Sequence, residues 1–354
     1  MDSSGVKIVS FDSLPVADGP LRLESRPWLQ LGGLHENDSL EFDARGFELT
    51  AAELASGEIV VGDHQRLKYF QRSGKLLHIV GRAGHGPGEF TPIRQLCAQS
   101  DSTLSVIDFN GRWSQWDRAG NHRRTTERLG LVPFYGCSPD GTMLAQRADL
   151  SAPTPSSSRR RLLDTKVYGR DGAVVHDLGA LSASEVFSQL FYDPGFALTA
   201  QSVIVGDPRT FEVRSYDLDR RVVTAMWRVK NALRPLTTES WDSLVQSSIP
   251  SNNTPANRQQ MVAVWTRIGK PDAYPAFWRL HRDSASRIWL GVYFDTRRQI
   301  VLDVESGRLS RLTIPIDAKY RPSIAGFTSV GPIVRHFDDD GAVRLSFYRV
   351  VDNR

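Results

Sequence analysis

Short apolar segments separated by polar turns recur along the chain at a nearly constant spacing. The segment Glu58–Asp63 is nearly repeated at Val203–Asp207, and Thr103–Asp108 has the same apolar positions and the same final aspartate. Asp63 and Asp108 are 45 residues apart, and Asp63 and Asp207 are 144 residues apart, which is three intervals of 48. Repeats of about 40–50 residues are typical of β-propeller blades.

Each repeat has the same internal order: a turn, an apolar strand, a loop, a strand with aromatic residues and a second polar turn. The second turns end in glycine, which suits a hairpin position with positive φ; they are Arg72–Gly74, Arg118–Gly120, Arg170–Gly172 and Glu305–Gly307. The second strands of the copies are expected near 58–63, 103–108, 142–146, 202–207, 287–293 and 332–337. The pattern therefore predicts an all-β fold, a six-bladed β-propeller of four-stranded antiparallel blades.

Two segments interrupt the repeat. Residues 147–163 are rich in Ser, Pro and Arg, and we interpret them as a loop insertion in the third copy. Residues 234–275 lie between the fourth and fifth copies, and there Thr254-Pro255 is typical of an N-cap followed by proline in the first helical turn. We expect a short helical insertion between blades four and five.

Ring closure also has a sequence signature. Leu29–Gly32 is similar to His78–Gly81, the outer strand of the first complete copy, but no inner strands precede it. The last copy supplies three strands, so we expect residues of about 28–32 to pair with 343–350 and complete the last blade. Two exposed sheet edges would disappear, and residues 1–354 would form a single propeller domain.

Composition excludes several classes of protein. The chain has 44 Lys and Arg against 40 Asp and Glu; only seven of the cations are Lys, and the Arg are dispersed rather than gathered in one stripe. We therefore expect no nucleic-acid partner. No apolar stretch reaches the about 18 residues of a membrane span, the N-terminus has no signal-peptide pattern, and we predict a monomer.

Cys97 and Cys137 are the two cysteines of the chain. Aligning the turns at Asp101 and Asp140 places Cys97 four residues, and Cys137 three residues, before its aspartate. Side chains alternate along a strand with a period of two, so this offset puts the cysteines on opposite faces. We accordingly expect two free thiols.

Catalytic and metal-binding motifs are absent from the sequence. It has no G-x-S-x-G, no H-E-x-x-H, no phosphate-binding P-loop and no C-x-x-C, and we predict no cofactor and no metal. Asp338–Gly341 superficially fits a calcium loop, but the calcium register would place His336 and Phe347 at ligand positions. A hairpin turn is the better interpretation.

The mouth of the central channel is the expected functional surface of a propeller. Inner strands are predicted at 47–52, 93–98, 133–137, 195–200, 277–282 and 323–328, and their polar or aromatic members are Glu48, Arg94, Tyr135, Trp278, Arg279, His281 and Arg282. Arginine with aromatic residues suits an anionic or carbohydrate-like ligand, with Arg94, Arg279 and Arg282 as the contacts. The alternatives are that these side chains simply fill the channel, or that loop acids such as Asp193 or Asp283 neutralise them.

Residues 81–90, Gly-Arg-Ala-Gly-His-Gly-Pro-Gly-Glu-Phe, resemble the G-x-x-G-x-G-P-G-E-F signature of bacterial six-bladed β-propellers. This family is NHL-repeat-like and belongs to the TolB-like propeller group. Residues 275–278 and 287–293 are similar to its fifth blade and 343–350 to its closing strand, so the resemblance covers about 27–350. The signature loop includes Gly84, Gly86, Pro87, Gly88, Glu89 and Phe90, which we interpret as a structural crossover between blades. The resemblance implies a periplasmic or cell-envelope location, although this chain has no signal peptide.

Three functional classes follow. A non-catalytic propeller that binds a small molecule or a protein is favoured, which leaves an enzymatic role uncertain. The alternative is a lactonase-like or amidating-lyase-like hydrolase or lyase, which would hold a metal with carboxylates and histidines at the channel mouth. The third class is a sensor whose helical insertion docks a partner. Glu48 is the one acid on the predicted inner strands, which argues against the enzyme.

Overall fold

The computed structural model describes residues 2–3, 5–34, 40–43, 49–126, 134–148, 160–185, 195–247, 249, 253–293 and 295–352, with backbone alone at 2–3, 134–135, 147–148, 160–163, 181–185 and 267–268. The strands are, in chain order, β1 (Asp2–Ser3), β2 (Val6–Phe11), β3 (Leu21–Leu23), β4 (Leu29–Gly32), β5 (Thr50–Glu53), β6 (Ile59–Asp63), β7 (Arg66–Phe70), β8 (Leu76–Val80), β9 (Arg82–Ala83), β10 (Glu89–Phe90), β11 (Ile93–Ala98), β12 (Leu104–Asp108), β13 (Trp113–Trp116), β14 (His122–Thr126), β15 (Phe134–Cys137), β16 (Met143–Ala148), β17 (Arg160–Tyr168), β18 (Val174–Glu185), β19 (Gly195–Leu198), β20 (Ser202–Asp207), β21 (Glu212–Asp217), β22 (Val223–Val229), β23 (Leu280–Arg282), β24 (Ile288–Gly291), β25 (Arg298–Asp303), β26 (Arg308–Thr313), β27 (Ser323–Thr328), β28 (Gly331–Phe337), β29 (Val343–Phe347) and β30 (Val350–Asp352).

Six four-stranded antiparallel blades form the propeller, so the predicted fold class is confirmed. Blades one, two and three are β5–β8, β11–β14 and β15–β18; blades four and five are β19–β22 and β23–β26; blade six is β27, β28, β29 and β4. The helices α1 (Thr238–Ser247) and α2 (Pro255–Ile268) lie between blades four and five, as predicted. The Thr254 side chain caps α2 by accepting a hydrogen bond from the Asn257 amide. Neither helix combines the length and apolar character needed to cross a bilayer, as judged over the described residues.

The aspartate that ends the repeated motif anchors the chain segment entering the blade. Asp63 accepts a hydrogen bond from the Asp43 amide at 2.8 Å, and Asp108 accepts one from the Thr91 amide at 3.3 Å. Asp63 is buried and forms an ion pair with Lys68 at 2.8 Å. The repeat spacing thus reflects a recurring backbone-capping position rather than a functional site.

Apolar cores fill the gaps between blades. Among the described residues, the core between blades four and five contains thirteen buried residues, including Phe277 and Ile300. The core between blades two and three contains five, including Trp113 and Met143. Because stacked blades bury their faces against each other, these cores stabilise the ring in proportion to the apolar area that they remove from water.

An N-terminal belt, residues 6–32, runs along the outer edges of three blades. β2 pairs in parallel with β22 of blade four. Asp18 then forms an ion pair with Arg311 of blade five at 2.9 Å. β3 pairs with β30, and β4 pairs with β29 from Phe347↔Leu29 to Arg344↔Gly32. The belt therefore connects the outer strands of blades four, five and six before it supplies the fourth strand of blade six.

The predicted loop insertion at 147–163 is partly wrong. Residues 147–148 belong to β16, and 160–163 belong to β17. β17 and β18 are nine and twelve residues long, so the insertion extends a hairpin of blade three. Ser and Arg are compatible with a long antiparallel pair of strands, which composition alone did not distinguish from a loop. Residues 149–159 lie outside the described part of the chain.

Candidate functional site

Small residues let the inner strands converge around the channel. A Cβ atom at Gly326 of blade six would lie 1.8 Å from the carbonyl oxygen of Ala51 in blade one. A Cβ atom at Gly195 of blade four would lie 2.4 Å from the Cβ of Leu280 in blade five. Real Cβ atoms do not approach so closely, so the ring can close here only because these positions are glycine.

A cavity of about 770 Å³ occupies the centre of the ring, and inner-strand residues from all six blades line it. This volume lies within the range of small-molecule sites. The charged residues of its described lining are Glu53, Arg72, Arg94, Arg279 and Arg282. The described wall therefore carries four positively charged side chains and one negatively charged one.

Five of the seven sequence-predicted site residues line this single cavity: Arg94, Trp278, Arg279, His281 and Arg282. Glu48 lies outside the described residues, and the side chain of Tyr135, on β15, is likewise outside them. Arg94 is the extra residue of a β-bulge, because Ile93 pairs with Asp108 and Gln95 with Ile107. Bulges redirect side chains at strand edges.

The blade-five wall carries a half-buried cationic and aromatic segment. The Arg279 guanidinium lies 4.3 Å from the Trp278 ring centroid, a cation–π distance. Burial, and secondarily the Arg335 guanidinium, lower the pKa of Arg279 to about 10. Burial and then the Arg279 charge lower the pKa of His281 to about 3, so this imidazole is neutral at physiological pH.

Arg282 is not neutralised by a direct contact with the acid beside it. Asp283 is buried and accepts hydrogen bonds from the Arg287 guanidinium at 2.7 Å and the Trp289 indole at 2.9 Å. Arg282 instead donates to the Ser286 hydroxyl at 2.8 Å, and its Nε is buried without a hydrogen-bond partner among the described residues. Burial lowers the pKa of Arg282, while the Asp283 charge raises it. The alternative that Asp283 neutralises the channel cations therefore has little support; Asp193 lies outside the described residues.

Sequence reasoning missed two charged residues of the wall, Glu53 and Arg72. They face each other at 3.5 Å, and Glu53 also accepts a hydrogen bond from the Ser329 amide of blade six at 2.6 Å. The inner strand was predicted at 47–52, but the observed strand, β5, spans Thr50–Glu53 and so ends one residue later, at Glu53. The Ala55–Gly57 turn could have placed Glu53 at the strand end, since a hairpin fixes where its strand stops.

The expectation of free thiols is wrong: Cys97 and Cys137 form a disulfide, with Cα atoms 6.0 Å apart. The predicted one-residue offset is present, because the Gln99 and Ser138 amides occupy equivalent turn positions. Opposite faces separate side chains within one sheet, but blades stack face to face. Cys97 packs against Met143 and Ala145 of blade three. Cys137 pairs with Met143 and therefore lies on the face of blade three that is turned toward blade two. The offset therefore brings the two sulfur atoms together.

The signature loop connects blades one and two. Glu89 accepts a hydrogen bond from the Gly86 amide at 2.8 Å and forms an ion pair with Arg82 at 2.9 Å. Phe90 is buried 5.2 Å from the Trp116 ring, in the core between these blades. A Cβ at Gly84 would lie 2.0 Å from the Glu89 carboxylate. These contacts are those of a crossover; Pro87 and Gly88 complete the turn before β10.

Potential metal ligands do not cluster in the described part of the chain. No three His, Cys, Asp or Glu side chains come together there as a group able to hold a metal ion. At the segment that superficially fits a calcium loop, Asp338 accepts hydrogen bonds from the Ala342 amide at 2.8 Å and the Arg344 guanidinium at 2.8 Å. Those bonds are typical of a hairpin turn.

Comparisons with known proteins support the fold alone. No family model and no curated protein matches this sequence. The crystal structure of a "Putative exported protein" from Bacteroides fragilis is similar, with a TM-score of 0.57 and 13% identity over 97% of this chain and 99% of that one. A chain of the Mitotic Checkpoint Complex has a TM-score of 0.44 and 11% identity over 96% of this chain and 95% of that one. The fold of this chain is therefore that of the six-bladed β-propellers.

Proposed function

We propose that this propeller is a non-catalytic binding protein that takes an anionic small molecule in its central channel. The observation that carries the proposal is the charge of the cavity wall: four arginines and one glutamate among its described lining residues. A recess lined by one sign of charge, with walls of low dielectric constant, concentrates ions of the opposite sign.

The residue types suit oxyanions in particular. Guanidinium groups bind carboxylates and phosphates through two parallel hydrogen bonds and keep their charge at all physiological pH values. Arg94 comes from blade two, whereas Arg279 and Arg282 come from blade five, on the opposite side of the ring of six blades. A ligand in the channel can therefore contact cations on two walls.

The metal-dependent alternative fits this wall less well. A lactonase-like or lyase-like site needs several carboxylates and imidazoles as ligands. The described lining contains one carboxylate, Glu53, and one imidazole, His281. One oxygen of the Glu53 carboxylate accepts a hydrogen bond from the Ser329 amide, and the other lies 3.5 Å from the Arg72 guanidinium, so this lone carboxylate already has a cationic neighbour. Binding without catalysis is the function that these residues favour.

For location we propose the bacterial cell envelope. Disulfides form and persist mainly in oxidising compartments such as the periplasm, and the Cys97–Cys137 disulfide is buried in the propeller wall. The resemblance to NHL-repeat-like and TolB-like envelope proteins supports the same proposal, as does the similarity to the Bacteroides fragilis protein, which is named as an exported one.

Thermal unfolding with sulfate, phosphate and citrate, each against chloride at constant ionic strength, tests the function. We expect a rise in the midpoint that saturates, since a ligand at a hundred times its Kd stabilises the native state by about 2.7 kcal/mol. The double variant Arg94→Gln/Arg282→Gln should lose the rise, whereas Arg308→Gln, an exposed outer-strand control, should keep it. Absence of any saturable rise in the parent would reject the proposal.

A further inference from the structure

One end of the channel carries a connected polar cluster where blades five, six and one meet. The Ser284 hydroxyl donates to the Ser329 carbonyl at 3.1 Å, which joins blades five and six. The Ser329 amide donates to Glu53 at 2.6 Å, which joins blades six and one. Arg72 lies 3.5 Å from the other Glu53 oxygen. Together with Arg282, these residues, which we call the five–six–one cluster, line the cavity.

Two buried atoms of this cluster have incomplete hydrogen bonding. Over the described residues, Arg282 Nε and Glu53 Oε1 are both buried without a hydrogen-bond partner. The first is a donor and the second is an acceptor. Buried polar atoms without a hydrogen bond are rare in native proteins and cost free energy, and for Glu53 Oε1 the Arg72 guanidinium at 3.5 Å is an ion-pair neighbour rather than a hydrogen-bond partner. A ligand that supplies a hydrogen-bond partner to each atom is therefore favoured.

We propose, on the basis of the proposed function, that the channel ligand is a polyhydroxylated molecule with one terminal oxyanion, and that the five–six–one cluster binds it. The Arg282 guanidinium receives the oxyanion, and Glu53 Oε1, which has the Arg72 cation beside it but accepts no hydrogen bond from the described residues, accepts one from a ligand hydroxyl. Sugar acids and sugar phosphates share this chemistry.

The donor that faces Glu53 is a hydroxyl group rather than an ammonium group. Glu53 already has the Arg72 cation as a neighbour, and the described wall bears four arginines in all. A ligand ammonium would be repelled by these charges, whereas a neutral hydroxyl is not. Ser284 and Ser329 are exposed and can bond further hydroxyl groups.

Four probes separate the recognition of charge from that of hydroxyl groups. Calorimetric titration would compare D-gluconate and D-glucose 6-phosphate with hexanoate, which lacks hydroxyls, and sorbitol, which lacks charge. We expect one of the first two to bind about tenfold or more tighter than hexanoate, because a charge-assisted hydrogen bond commonly contributes that much, and sorbitol not to bind. The tighter of the two identifies carboxylate or phosphate as the oxyanion.

Variants then assign the contacts. Glu53→Met should reduce the preference for the hydroxylated probe over hexanoate to about twofold or less, while Glu53→Gln, which keeps an acceptor oxygen, should retain it. Arg282→Lys, which keeps the charge but loses the Nε–H group, should weaken the hydroxylated probe about fivefold. Glu58→Met is the matched control: Glu58 lies across the same hairpin, also has a buried unpaired oxygen, and does not line the cavity.

The outcomes distinguish the two proposals. If sulfate raises the midpoint but gluconate and glucose 6-phosphate bind no better than hexanoate, the ligand class is wrong and the anion-binding function stands. If no anion binds, both fail. A preference for hydroxylated probes that survives Glu53→Met would overturn the assignment of Glu53, and an unchanged affinity in Arg282→Lys would overturn that of Arg282.

Discussion

The two halves of the propeller ring are held together differently. Blades four, five and six are joined on their outer edges by the N-terminal belt, through β2, Asp18, β3 and β4. Over the described residues, blades one to three have no such strand beyond their fourth, and the small core between blades two and three is crossed by the Cys97–Cys137 disulfide. A ring needs every junction to hold, so different junctions can be stabilised by strand pairing, apolar packing or a covalent bond.

Removing the belt should have the largest effect. Deletion of residues 1–33 takes away β4 and leaves β29 as an unpaired edge, which invites aggregation. We expect loss of cooperative unfolding, measured by circular dichroism and light scattering. Deletion of residues 1–12 removes only β1 and β2, which extend the sheet of blade four beyond β22. This shorter protein should stay monomeric and unfold at a lower midpoint. A 1–33 deletion that stays monomeric with an unchanged midpoint would show that the belt is dispensable.

The junction at which the two halves meet can be broken with one methyl group. Gly326→Ala would place a Cβ against the Ala51 carbonyl, so we expect a loss of about 3 kcal/mol in the free energy of unfolding, the upper end of the usual cost of overpacking. Gly136→Ala is the control, because its Cβ would lie 3.3 Å from the nearest backbone atom, the Leu198 nitrogen. Urea unfolding measures both variants. Equal losses would argue against the tight approach of blades six and one.

The disulfide can be tested on the half without the belt. Its cysteines are 40 residues apart, and a loop of that length predicts about 3–4 kcal/mol of stabilisation through the unfolded chain. The double variant Cys97→Ala/Cys137→Ala should lose about this much, and dithiothreitol should lower the midpoint of the parent but not of the variant. Thiol titration of the unfolded, unreduced parent should give zero; two thiols would contradict the disulfide.

The smallest effect concerns how the free energy of unfolding depends on pH through His281, a residue of blade five, in the half that carries the N-terminal belt. The pKa of His281 is about 3 in the folded protein and about 6.5 in an unfolded chain. Between these values the unfolded chain binds a proton that the folded protein does not, so stability falls as the pH decreases below about 6.5. In His281→Gln this contribution disappears, and its unfolding free energy should decline less steeply between pH 6.5 and 4. Parallel slopes for parent and variant would contradict the buried neutral imidazole.

Some features could be predicted from the sequence because they repeat. Six blades follow from the spacing of residues such as Asp63 and Asp108, whose carboxylates accept hydrogen bonds from backbone amides of the chain segment that enters the blade. Arg94, Arg279 and Arg282 could be placed on the channel wall because inner strands follow from turn positions. In contrast, the pairing of β2 with β22 leaves no repeat, and the geometry that joins Cys97 to Cys137 depends on how two sheets stack. Glu53 was missed because a small shift in a strand boundary removed it from the inner-strand set.

The most direct test of the binding account is to locate an anion in the channel. Crystals of the parent would be equilibrated with selenate at the concentration that half-saturates the thermal shift, and anomalous diffraction would locate the selenium atoms. The account predicts an anomalous peak inside the ring, with selenate oxygens within about 3 Å of the guanidinium of Arg94, Arg279 or Arg282. Peaks confined to the outer surface, with none in the channel, would contradict it.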